Sequence, residues 1–207
     1  MYRGNASRIV PIVLVLIIVA IVIAALVSIG RAFFGGNQNT SEPTDVGHTA
    51  LINTSADRSV RMTVRGPIVA DENFRSYQVT VDSSSRTLTT YSGYIDQALE
   101  TKMYSNNNKA YEEFVYALDK ANLMKDSELK DDKNDTRGIC ATGKVYQFEV
   151  LQNNSTVKQL WTSTCKGSPG SFKGSVPQVE GLFLKQIPDS KALLNKINLG
   201  SNPLSLM

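Results

Sequence analysis

Two cysteines, a few carboxylates and a set of arginines are the residues in this chain able to do or organise chemistry. Cys140 and Cys165 are its only cysteines and His48 is its only histidine. A single histidine cannot build the usual zinc constellation or serve a triad that has no second partner of its kind, so His48 reads as a bystander. The wide separation of the cysteines is unlike the Cys-x-x-Cys spacing that poises a reactive thiolate. With no metal-ligating residues grouped with them, they read as a structural disulfide.

The carboxylates offer two further chemistries. Asp71 with Glu72, or Asp96 with Glu100, could act as the acid and nucleophile of a glycosidase, which needs only two carboxylates at a set separation. Asp131, Asp132 and Asp135 could lend oxygens to calcium, but they lack the alternate-position spacing and closing glutamate of an EF-hand, and lysines are interleaved among them. The segment 126–137 therefore reads as a solvated loop, and no metal or cofactor is expected. Arg61 and Arg65 fall on one face of an alternating run, with Arg75 and Arg86 on neighbouring runs. Together they form a candidate guanidinium patch for anionic glycopolymer or lipid headgroups. The competing reading is an ordinary charged sheet face balanced by Asp57 and Asp82.

The elements that would carry these residues begin with a membrane anchor. Ile9 to Ile29 is uncharged and almost wholly aliphatic. As a helix it would reach about 31 Å, enough to cross a hydrocarbon core of about 30 Å. It is long for a signal-peptide core, so an uncleaved signal anchor is expected. Arg3 and Arg8 precede it, which puts residues 1–8 in the cytoplasm and the rest of the chain outside. These two arginines also account for most of the formal net charge of +3. The remainder is nearly neutral and lacks the concentrated basic surplus of a nucleic-acid binder.

Residues 30–50 are polar and glycine-containing and read as a flexible linker to an extracytoplasmic domain over 51–200, with a frayed tail at 201–207. In the domain, Val60, Met62 and Val64 alternate with Arg61, Thr63 and Arg65, which predicts a half-buried strand. Two further strands follow, one with Tyr77, Val79 and Val81 inward, the other from Arg86 to Tyr94. Asp82 to Ser85 joins them as an antiparallel hairpin.

A helix is predicted after an asparagine cap at 106–108, burying Tyr111, Phe114, Val115 and Leu118. Lys144–Leu151 and Thr156–Thr164 form a second hairpin. Setting Cys140 opposite Cys165 places Phe148 against Val157 and Glu149 against Thr156, with Tyr146, Phe148, Val150, Val157 and Trp161 on one face. A neighbouring register would give an Asn153-Asn154 turn but offset the cysteines, so the disulfide is expected to select the first. Ser175 and Asp189 or Ser190 are expected to cap two final helices burying Val179, Leu182, Phe183, Ile187, Leu193, Leu194 and Ile197.

The expected architecture is therefore α+β: one transmembrane helix, then a small antiparallel sheet of about five strands in βββαββα order with helices on one face. The expected role is a non-enzymatic cell-envelope module for binding, interaction or support, held in the bilayer through residues 9–29. Its expected partners are an envelope protein or an anionic polymer, not nucleic acid. The alternatives are a carboxylate-based hydrolase of envelope polymers and a subunit of a larger membrane or secretion assembly.

Overall fold

The computed structural model of the chain describes residues 46–127, 129 and 134–200. The apolar run 9–29, the arginines before it, the linker up to residue 45, Asp131, Asp132 and the tail 201–207 lie outside the described residues. Among the described residues no helix is long and apolar enough to cross a membrane.

The domain is α+β, built on one antiparallel sheet. Its strands are β1 (Arg58–Arg65), β2 (Arg75–Asp82), β3 (Ser85–Ser92), β4 (Gln97–Ser105), β5 (Val145–Gln152) and β6 (Ser155–Ser163), in the spatial order β4-β3-β2-β1-β5-β6. The helices are α1 (Val46–Ile52), α2 (Asn108–Lys120), α3 (Val176–Lys185) and α4 (Ser190–Leu194).

Alternation in β1 does what period two requires: Val60, Met62 and Val64 are fully buried, while Arg61, Thr63 and Arg65 face the other way. The ladder registers set Met62 between Val79 of β2 and Phe148 of β5, with Leu88 of β3 beyond Val79 and Leu160 of β6 beyond Phe148. This apolar row crosses five strands and forms the floor of the main core. Helix α2 closes the core with Tyr111, Phe114, Val115 and Leu118, the four residues its helical spacing predicts. Asn107 accepts the Ala110 N–H at 2.9 Å, satisfying one of the donors a helix start leaves open. Phe183 of α3 meets Phe114 edge-on at 5.2 Å between ring centroids.

The fold departs from expectation in four places. It has six strands, because β4 follows β3 through a turn at 93–96; Gly93 and Asp96 there both take positive φ. Residues 46–50, expected in the linker, are helical in α1, where Ala50 and Leu51 are buried in the main core.

The β5–β6 register also differs. Asn153 and Asn154 both adopt left-handed φ, giving the two-residue turn that a twisted hairpin favours. Gln152 then pairs with Ser155 and Leu151 with Thr156, after which a bulge shifts the ladder so that Val150 meets Lys158 and Phe148 meets Leu160. Finally, the one-residue shift sends Trp161 to the opposite face from Phe148, and Val157 is left 39% exposed rather than packed. Cys140 and Cys165 are nonetheless bonded, with Cα atoms 5.4 Å apart. Both lie beyond the strand ends, so the disulfide joins two loops and does not set the ladder register.

The sheet face away from the helices is half covered. At the β5–β6 side, Val145, Trp161 and Cys140 form a second apolar cluster with Leu129, Ile139 and Cys165. Thr136 ties this loop to the sheet by accepting from Arg65 and from Gln147.

Candidate functional site

The four arginines do not converge. Arg61 and Arg65 share the helix-free face of β1, but Arg61 is committed. Its Nε and a terminal nitrogen donate to the two oxygens of Glu149 at 2.7 and 3.1 Å, a bidentate pair in which Glu149 is only 12% exposed. Thr156 donates a further bond to the same carboxylate.

Arg75 and Arg86 fall toward opposite ends of the β2–β3 pair, since Arg75 is opposite Ser92 and Arg86 opposite Val81. That is about 20 Å at strand rise. Arg75 donates to the carbonyls of Glu72 and Phe74 and to the Ser92 hydroxyl, bracing the entry to β2. Arg86 lies over the Tyr104 ring, 6.0 Å from its centroid.

Arg65 is different. One terminal nitrogen donates to the Thr136 carbonyl at 2.9 Å, while its Nε is buried and makes no hydrogen bond to protein. Burial pulls its pKa below the usual arginine value; Asp96, Asp135 and Tyr94 nearby push the other way. The group borders a cavity of about 160 Å³ walled by Ile68, Phe74, Tyr94, Arg137 and Val145.

The wall is held by specific contacts. Tyr94 stacks on Phe74 at 4.1 Å, donates its hydroxyl to the Val69 carbonyl at 2.6 Å and accepts the Val69 N–H at 3.0 Å. Arg137 on the rim is hydrogen-bonded to Asp135, whose carboxyl it holds down at about 2. A guanidinium that borders an aromatic-walled cavity of this size is chemically suited to one small anionic group, a carboxylate or a phosphate. Alternation in β1 marked Arg65 in the sequence. Phe74, Tyr94 and Arg137 carried no such mark, because they meet only through the β3–β4 turn and the disulfide-linked loop.

Of the carboxylates singled out for acid–base chemistry, Asp71 and Glu100 have structural partners, while Glu72 lies in the short 3-10 turn Asp71–Asn73. Asp71 accepts the Tyr94 N–H at 2.8 Å and sits under Gly93, anchoring the β3–β4 turn. Asp96 belongs to that turn. Glu100 accepts from Lys196 at 2.8 Å and lies 3.5 Å from Lys102. His48 is carried on α1, with its Nε2 3.0 Å from Asp119 of α2. Among the described residues no group of three or more His, Cys, Asp or Glu side chains could hold a metal ion. No protein-family model matches the chain, and neither does any curated protein.

Proposed function

We propose that this chain is a single-pass membrane protein whose α+β domain lies outside the cytoplasm and acts by binding, with Arg65 as its contact for an anionic envelope polymer. The observation that carries the reading is the Cys140–Cys165 disulfide, a bond that persists in oxidising compartments and seldom in the cytosol. The uncharged run 9–29 with Arg3 and Arg8 before it favours the same topology. Residues 30–45 then act as a polar tether. Of the four arginines, Arg65 and Arg86 each have a buried Nε with no protein partner, and Arg65 borders the aromatic-walled cavity, so the binding role is given to it.

The test uses the full chain in its membrane. It should resist alkaline extraction, lose its domain to protease added from outside, and show no reactive thiol until reduced. On immobilised polyphosphate, Arg65→Ala should lose retention, while Arg61→Ala, which only frees Glu149, should keep most of it. Extraction by alkali, two thiols reactive without reduction, or unchanged retention of Arg65→Ala would each overturn the corresponding part of the reading.

A further inference from the structure

On the helix side of the sheet, a cleft of about 600 Å³ opens between α3, the segment after α4 and the residue that leads into β5. It shares no residue with the cavity at Arg65. Leu194, Ile197 and Leu199 give it an apolar wall, and Glu180 and Lys144 bring two opposite charges to its lining.

The helix and the strand beneath it fix the carboxylate. Val179 and Phe183 are the buried stripe of α3, and Glu180, about 100° round the axis from Val179, falls at the margin of that stripe. It is half-buried there. Tyr77 of β2, only 1% exposed, donates its hydroxyl to one Glu180 oxygen at 2.7 Å. Burial pushes the Tyr77 pKa far up and the Glu180 charge adds to it, so the hydroxyl stays a donor. Tyr146 is pushed up to about 12, by burial first and by Glu180 second.

No cation of the described residues answers this charge. Among them neither Glu180 nor Lys144 has an ion pair, with each other or with a third group. Taking a carboxylate out of water without a countercharge costs free energy, which a cation entering the cleft would recover. Among the described residues no three ligating side chains gather, and one carboxylate is too few for a metal ion, so an organic cation fits the cleft better.

We propose that this cleft binds a free α-amino acid with an aliphatic side chain, its ammonium on Glu180, its carboxylate on Lys144 and its side chain against Leu194, Ile197 and Leu199. Each part of the ligand answers one part of the wall. A simple amine would meet the Lys144 charge with nothing to offer it, and a simple acid would meet Glu180 in the same way. A molecule carrying both charges finds a partner for each. The cleft is also of the size that holds small molecules. The site stands whether or not an anionic polymer binds at Arg65.

The experiment titrates the full chain in detergent micelles with L-leucine and with its two halves, isoamylamine and isocaproate, followed by calorimetry. Leucine should bind saturably, and each half about tenfold more weakly or worse. Glu180→Gln still accepts the Tyr77 hydroxyl and so keeps the fold, but it should weaken leucine about tenfold and abolish the isoamylamine signal. Lys144→Met, which keeps an unbranched stem, should weaken leucine about tenfold and leave isoamylamine no weaker. Arg65→Ala should bind leucine as the wild type does. Absence of saturable leucine binding, either half as tight as the whole, equal effects of Lys144→Met on leucine and isoamylamine, or a loss of leucine in Arg65→Ala would overturn the proposal.

Discussion

At Gly170 the chain passes so close to β6 that a Cβ atom would lie 2.1 Å from the Trp161 carbonyl oxygen, and the residue sits at φ +67°. Both facts exclude a side chain: the obstacle is backbone that cannot swing aside, and the conformation is one that L-residues avoid. Gly170→Ala should therefore cost about 3 kcal/mol, read as a lower denaturation midpoint, whereas Gly167→Ala, which meets nothing within 4 Å, should be near neutral. Asp82 makes a complementary case at the β2–β3 turn. Its carboxylate accepts from the N–H and hydroxyl of both Ser84 and Ser85 at 2.6–2.8 Å. Partial burial raises its pKa, but these four bonds outweigh that and leave it below 3.8. A carboxyl with a depressed folded-state pKa adds stability that is fully present above the unfolded value and lost as pH falls through the folded one. Asp82→Ala should accordingly lose about 1–2 kcal/mol at pH 7, and that loss should shrink as pH falls through the folded-state pKa. Equal loss at pH 7 and pH 2 would show that the turn does not depend on the ionised carboxylate.

At the scale of elements, what could be read from sequence follows from which elements bury a patterned face. Strand β1 and helix α2 each present one apolar side to the main core, and their buried residues are those the periodicity marks. Strand β4 buries almost nothing, so Gln-Ala-Leu-Glu-Thr-Lys-Met carries no inward signal and only its pairing with β3 defines it. Trp161 shows a subtler limit. A single bulged residue reverses the faces of the rest of β6, and nothing local in Thr156–Lys158 announces it. The candidate site was half legible for the same reason: Arg65 stands in a patterned strand, while its neighbours come from loops.

The disulfide belongs to this scale too, since it ties the loop before β5 to the loop after β6 over the second apolar cluster. Cys140→Ser/Cys165→Ser should lower stability by about 3 kcal/mol from the 25-residue loop it opens. Hydrogen exchange should quicken first in 134–144 and 164–172 while β1 and β2 stay protected. Uniform deprotection of the whole sheet would mean instead that the bond holds the fold together globally.

Across the molecule, one sheet separates two apolar clusters of unequal size, and strand β5 serves both. Phe148 points into the main core beneath the helices, and Val145 points to the smaller cluster with Trp161. Side chains on opposite faces touch only through the backbone between them, and a hydrogen-bonded ladder flanked by β1 and β6 has little freedom to shift in response to a void on one side. The two clusters should therefore fail independently. Leu118→Ala, in the middle of the helical layer, should cost about 3 kcal/mol, and Val145→Ala, on the far face, about 2 kcal/mol. The double variant should equal their sum to within about 0.5 kcal/mol when equilibrium unfolding is followed in denaturant. A coupling above about 1 kcal/mol would mean that the strands move as the cores are emptied. The disulfide side would then bear on the shape of the helical side, and the Arg65 cavity, walled by Val145, would feel substitutions made under the helices.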